Sequence, residues 1–351
     1  MDHEFPIVRG DSQASKDRPT VLVWGALGFI GFHLVERLLS DGYKVSVLCR
    51  SRARYAEPHW ASKVTWYSTE NEVCQTSLQA AVASASVIFD LAGSSGAVAS
   101  NHDPIGSLDS NCRVQLEFLE ACAKAAHKPH VIFSSSRLVY GETSAAKVDE
   151  KHATRPLSIY AVHKLCIENY LELYSRLGAI THTVCRISNA YGHDCTRLGQ
   201  GYKIVNSFII RSLAQLPIVL FGTGEQIRDF IYIDDLTEIL IRCALIPAAS
   251  GETFNIGSGV GHSMMEAAEI IRELTDGPPI NFHPWPEDYL AVESGNYVAE
   301  ISKSHRVLQF LPQFDFCNGI NSTITKYRLE QALDLLNPDA AEHVKVMPGA
   351  I

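Results

Sequence analysis

The feature that most constrains this chain is a glycine turn near its start, Gly25-Ala26-Leu27-Gly28-Phe29-Ile30-Gly31, set between two different hydrophobic patterns. Before it runs Val21-Leu22-Val23-Trp24, a short continuous apolar run of the kind found in a strand buried on both faces. After it, Phe29 to Ser40 offers Ile30, Leu34, Leu38 and Leu39 to one helical face, and Asp41-Gly42 stops the helix. Val45 to Leu48 reads as a second strand, so the turn lies at the first crossing of a βαβ unit. In that context the first glycine admits the tight turn, the second lets a pyrophosphate approach the backbone, and the third lets helix and sheet pack closely. Free N–H groups at the helix start, aided by its dipole, would bind the phosphates. Gly25, Leu27, Gly28, Phe29, Ile30 and Gly31 are therefore expected to hold a dinucleotide. The alternative is a glycine-rich packing turn with no ligand.

The alternation continues along the chain. Val87 to Leu91 reads as a strand, Asn111 to Ala126 as a helix, and Val131 to Phe133 as a strand ending in three serines. Ser158 to Leu177 reads as a long helix and Thr183 to Ile187 as another strand. Such alternation implies an α/β fold of the Rossmann type, a doubly wound parallel sheet. After about residue 190 the pattern predicts longer loops, shorter elements and Pro-rich patches, a smaller C-terminal α/β region that closes over a substrate. The expected organisation is a flexible lead-in over 1–18, a dinucleotide-binding domain over 19–190 to which some later segments return, and a mainly substrate-binding region over 191–351.

Composition narrows the function. With 351 residues, 46 % hydrophobic and 20 % charged, the chain has ample material for a core. The net charge of -9 and the absence of a Lys/Arg run argue against a nucleic-acid partner, although a few placed arginines still suffice to bind a diphosphate. Nine cysteines without a CxxC pair read as thiols in a reducing compartment, and no ligand spacing supports a metal site. No apolar run is long enough to span a membrane, and the polar stretch from Met1 to Pro19 lacks a signal core, so a cytoplasmic protein is expected.

The end of the second strand normally selects the cofactor, because a carboxylate there binds the adenosine ribose and repels a 2′-phosphate. This chain has Leu48-Cys49-Arg50-Ser51-Arg52 instead. Arg50 is placed to meet a 2′-phosphate, or else to stack on adenine or stay solvated, and NAD and NADP both remain open.

Tyr160 and Lys164 form Tyr-x-x-x-Lys, which on a helix shares one face. A lysine ammonium near a tyrosine hydroxyl favours phenolate and would lower the tyrosine pKa, suiting it to acid–base work near neutral pH. The motif occurs by chance, but here Ser134-Ser135-Ser136 ends an upstream strand, where reactive groups gather in a doubly wound sheet. A hydroxyl at that point can hold a substrate oxygen while Tyr160 moves its proton.

Taken together, these motifs resemble the NAD-dependent epimerase/dehydratase family, the extended branch of the short-chain dehydrogenase/reductases, from about Val21 to Lys303. Asp90-Leu91-Ala92-Gly93, Asn111, Arg186 to Gly192, Gln226 to Asp235 and Phe254 to Gly259 also fit its pattern. The resemblance implies that Ser136, Tyr160 and Lys164 carry catalysis, with Lys164 also on the nicotinamide ribose. It implies that Leu91, Ala92, Gly93, Asn111 and Ser134 join the cofactor site, and that Asn189, Asn206 and Arg228, beside Ser136 and Tyr160, hold a nucleotide-diphosphate sugar. For Arg228 the competing reading is a salt bridge to Asp229 or Asp234. A homodimer is expected through the helices Asn111–Ala126 and Ser158–Leu177, whose apolar residues could equally be core.

Departures from the family point to the reaction. Sugar dehydratases resemble Thr-Asp-Glu-Val-Tyr-Gly, whereas this chain reads Ser136-Arg137-Leu138-Val139-Tyr140-Gly141. Arg137 is no useful proton donor and Leu138 no acceptor, so elimination is disfavoured. Leu138 also departs from the Glu of family decarboxylases and the Cys of epimerase-reductases. The leading expectation is a nucleotide-sugar epimerase, acting at C4 by resemblance, that oxidises and re-reduces the sugar with a retained cofactor. The second is an NADP(H)-dependent ketoreductase or dehydrogenase, and the third a cofactor-sensing protein without turnover. His193 is expected as a polar lining residue or a substrate acid, and His163 as structural.

Overall fold

A computed structural model describes residues 19–50, 57–69, 74–194 and 204–336. The expected lead-in over 1–18 lies outside the described residues. Seven strands form the central sheet: β1 (Val21–Trp24), β2 (Val45–Cys49), β3 (Thr65–Ser68), β4 (Val87–Asp90), β5 (His130–Ser136), β6 (Thr181–Ile187) and the late strand β10 (Glu252–Ile256). Their order is β10-β6-β5-β4-β1-β2-β3, and every neighbouring pair is parallel. This is the Rossmann-type doubly wound sheet.

The strands β1, β2 and β4 are buried along their whole length because both faces of the sheet are covered there, whereas the edge strand β3 is not. Successive side chains point to opposite faces, so Val21 and Val23 join one core and Leu22 and Trp24 the other. The first core is closed by the helices Phe29–Ser40 and Ile233–Leu245, the second by Val114–Ala123 and Ile159–Arg176. Phe29–Ser40 ends as its sequence requires: Gly42 takes φ +80° and the Tyr43 N–H returns to the Leu38 carbonyl.

Strand order reverses between β1 and β4. The turn after β1 and the loop after β4 diverge there and leave a crevice at the carboxyl ends of the strands. The expected helix from Asn111 starts differently. A wide five-residue turn, Asp109–Arg113, precedes the α-helix Val114–Ala123, and it carries the Asn111 side chain round to the loop after β4.

Beyond residue 190, β7 (Asn189–Tyr191), β9 (Ile227–Tyr232) and β11 (Gly261–Ser263) form a three-stranded sheet. The strands β8 (Val219–Phe221) and β12 (Asn281–His283) pair separately. The first core continues into this region through Phe208, Phe230 and Phe316. Strands there are short, but the helices do not all shorten as expected: Ile233–Leu245 has 13 residues and Phe316–Leu336 has 21. The polar residues of the latter had masked its length. None of the described helices is long and apolar enough to cross a membrane.

Candidate active site

The glycine turn is built for close approach. Gly25 takes φ +89°, and a Cβ there would lie 2.7 Å from the carbonyl carbon of Leu91. A Cβ on Gly31 would lie 2.2 Å from the Gly25 oxygen, so helix and turn touch at backbone distance. Gly28 is different: its Cβ would meet only the Gly25 oxygen, at 3.4 Å, and otherwise open space. Gly28 also heads the helix Phe29–Ser40 without a side-chain cap, which leaves first-turn N–H groups free for an anion.

Two cavities of about 360 and 340 Å³ meet at this turn and share Gly25, Gly28 and the segment from Leu91 to Ser94. One adds Phe29, Ile30, Gly31, Ser134, Ser136, Tyr160 and Lys164. The other adds Leu27, Leu48 and the exposed Arg50. A dinucleotide lying across Gly28 fits this shape, with its phosphates on the free N–H groups. Asn111 lines neither cavity. Its Oδ1 accepts the Ser94 N–H at 3.0 Å and its Nδ2 donates to Ser107 at 3.2 Å, so it braces the loop from behind.

Tyr160 and Lys164 lie in the first two turns of the helix Ile159–Arg176. Ser158 caps that helix by accepting the Ala161 N–H, while Ser100 and Asn101 accept those of Tyr160 and Ile159. Three of its free donors are thereby satisfied, which fixes where the tyrosine stands. Tyr160 lines the same cavity as Ser136, at the end of β5, whose hydroxyl acts on the phenol. Lys164 donates from Nζ to the Ser134 carbonyl at 2.7 Å and lies 5.8 Å from the Tyr160 ring centroid. The three residues singled out as catalytic therefore meet at the floor of the cleft.

Burial dominates their protonation. It pushes the Tyr160 phenol up to about 12, and the Ser136 hydroxyl only partly offsets this. Burial draws Lys164 down to about 8, against the nearby carboxylates of Asp90 and Glu168. The expected lowering of the tyrosine pKa is outweighed here by burial of the phenol. Beneath the site, Glu168 accepts from Arg186 Nη2 at 2.6 Å and from Ser135, and Arg186 Nη1 donates to Tyr140 at 3.0 Å. This buried ion pair ties β5 and β6 to the catalytic helix.

Across the cleft stand Asn189 and Arg137, both on the cavity wall. Arg137 donates from Nε to Asn189 Oδ1 at 2.9 Å. Arg228 is buried and donates to the carbonyls of Ile227 and Gly295 and to Glu293 Oε1 at 2.5 Å. Neither Asp229 nor Asp234 is its partner: Asp229 is taken up by the N–H groups of Ser258, Gly259 and Ala299, and Asp234 faces Lys326. Asn206 is not brought to the cleft. It is wholly buried and donates to the Gly192 carbonyl and the Tyr327 hydroxyl, while Ile204 and Val205 line the wall. His193 turns to Glu330 at 2.8 Å and His163 to Ser107 at 3.1 Å. Arg137 and Glu293 escaped the sequence reading; only the departure of Arg137 from the family pattern signalled it.

The pattern of the NAD dependent epimerase/dehydratase family matches residues 21–257. The chain belongs to this family. Among its relatives, a UDP-glucose 4-epimerase of Mycolicibacterium smegmatis is 30 % identical over 88 % of this chain and 98 % of its own length. The structure is similar to the UDP-glucose 4-epimerase of Thermotoga maritima solved with UDP-glucose, with TM-score 0.79, 26 % identity, and coverage of 89 % of this chain and 99 % of that one. It is also similar to the UDP-glucose 4-epimerase of Thermus thermophilus solved with NAD, with TM-score 0.75, 25 % identity, and coverage of 88 % and 99 %. This is an enzyme of the extended short-chain dehydrogenase/reductase type.

Proposed function

We propose that the chain is a nucleotide-sugar epimerase that acts at C4 by transient oxidation, with NAD retained through the cycle. One observation carries this reading. Among the described residues lining the catalytic cavity there is no Asp, Glu, His or Cys; Tyr160 and Lys164 are the titratable pair beside the Ser136 hydroxyl. Such a floor can move one hydroxyl proton, whereas elimination needs a second acid or base, and Leu138 supplies none. The bound nicotinamide would supply the hydride acceptor. Ser136 would hold the sugar oxygen, Tyr160 would take and return its proton, and Lys164 would hold the nicotinamide ribose. Asn189 and Arg228 would anchor the diphosphate while the sugar turns, with Arg228 exchanging Glu293 for phosphate.

The cofactor would lie with its phosphates on Gly25, Gly28 and Gly31, flanked by Leu27, Phe29 and Ile30, with Leu91, Ala92, Gly93 and Ser134 along its length. Asn111 would brace that wall. Arg50 favours a second reading, an NADPH-dependent ketoreductase, because it lines the adenosine-side cavity with no carboxylate on its own strand. A homodimer would cover the exposed Leu116, Val162, Leu173 and Leu177 on the two helices named above; sedimentation equilibrium tests it.

The test combines two measurements. Denatured protein should release NAD in a one-to-one ratio, and UDP-glucose should give its C4 epimer without added cofactor. Tyr160→Phe should slow this by about 10²–10⁴-fold. Consumption of NADPH with a net redox product would establish the ketoreductase instead.

A further inference from the structure

Three guanidinium groups are buried among the described residues, and their partners differ. Arg186, at 8 % exposure, is clamped by Glu168. Arg228, at 7 %, holds Glu293. Arg137, at 9 %, makes no ion pair with any described residue, although Glu293 and Asp229 lie near enough to act on its charge. Its hydrogen bonds are to two neutral oxygens, Asn189 Oδ1 through Nε and Ser294 Oγ through Nη1, each at 2.9 Å. Its flat face lies 5.4 Å from the Tyr297 ring centroid. Nη2 donates to none of the described residues, and the side chain stands on the cavity wall beside Ser136.

A buried cation without an ion partner is costly, and its charge is normally matched by an anion. The cost is visible here: burial, with repulsion from Arg228, draws the guanidinium down to about 9, against the smaller opposing effects of Tyr297, Glu293 and Asp229. The Asn189 amide adds direction. With one lone pair of Oδ1 taken by Arg137, Asn189 keeps an Nδ2 group that donates to none of the described residues. Ser136, the neighbour of Arg137 in the chain, lines the same cavity as Tyr160, so this donor-bearing wall borders the reacting hydroxyl.

We propose that Arg137 is a specificity-determining residue that recognises a carboxylate on the sugar itself, so that the substrate class is a nucleotide-linked uronic acid. The inference rests on the nucleotide-sugar reading above. A planar guanidinium matches a carboxylate through two parallel hydrogen bonds, and a neutral CH₂OH group in the same place leaves its charge unmatched.

The test is calorimetric titration of the full chain with its cofactor, using UDP-glucuronic acid, UDP-glucose and UDP. A charge-assisted contact of this kind should make the uronic acid bind about 10- to 100-fold more tightly than the neutral sugar. In Arg137→Gln that ratio should fall to about one, within the scatter of a single neutral hydrogen bond. The ratio in the unaltered protein is decisive even where the variant does not fold. Equal affinity for the two sugars overturns the inference and leaves the epimerase reading standing. An equal loss of UDP and uronic-acid binding in Arg137→Gln also overturns it, because Arg137 would then serve the diphosphate. Binding of none of the three would remove the nucleotide-sugar reading and the inference together.

Discussion

Asp90 closes β4 at the switch point, sealed from solvent and near Lys164. Its Oδ1 accepts from Gln115 at 3.0 Å and from the Ala92 N–H at 3.3 Å, whereas Oδ2 has no partner among the described residues. Burial pushes the carboxyl group up from 3.8 to about 6, against those bonds and the charge of Lys164. At 1.36 kcal/mol per pH unit, ionised Asp90 destabilises the fold by about 3 kcal/mol. Between these two pKa values the folded chain holds a proton that the unfolded chain has released, so this contribution makes stability fall as pH rises. Asp90→Asn keeps the size and the accepted bonds but does not titrate. Denaturant unfolding of both proteins should show the wild type losing about 2 kcal/mol relative to the variant between pH 4 and 7. The variant also removes a charge that supports the Lys164 ammonium, so its activity should recover on the acid side of neutrality. Parallel stability curves would refute the account of Asp90 as an ionisable buried group.

The glycines of the phosphate turn should separate binding from folding. Gly28→Ala should fold normally, because its methyl group meets only one atom, at 3.4 Å, yet release NAD on purification; Gly31→Ala, at 2.2 Å from backbone, should lower the melting temperature as well. Retention of NAD by Gly28→Ala would show that the cofactor does not cross this turn. Glu168→Gln leaves Arg186 buried without its carboxylate and should cost about 3–5 kcal/mol by denaturant unfolding. Replacing both by leucine should cost less than this single change, and additive losses would mean that the pair is not coupled.

The frame of the fold is legible because its signals are local. Val21–Trp24, Gly25–Gly31 and the run from Phe29 to Asp41 each carry strand, turn and helix information in adjacent residues, and the structure reproduces those bounds. The catalytic floor is legible for the same reason: Tyr160 and Lys164 are one helical turn apart, and Ser136 ends a strand. The opposite wall is not, because its contacts span the chain. Arg137 meets Ser294 across 157 positions, and Arg228 meets Glu293 across 65. Asn206 turns inward because Tyr327, 121 positions away, offers a hydroxyl there, which no local pattern announces. The direction of the Tyr160 shift was missed for a related reason. Spacing places a lysine beside a tyrosine, but only the packed structure shows how deeply the phenol is buried.

Net charge is a weaker guide to the ligand than this local arrangement. A chain at -9 would repel an anion at long range, but salt screens that field within about 8–10 Å. Inside the cleft the effective dielectric is lower and the nearest charges decide. Behind the cleft wall, Arg228 adds to burial in weakening the hold of Arg137 on its proton, and Tyr297, Glu293 and Asp229 offset this only in part. Buried cations that repel one another are each stabilised by an anion placed against them, the diphosphate for Arg228 and the sugar carboxylate for Arg137 in the readings above. The acidic exterior therefore does not conflict with a diphosphate ligand.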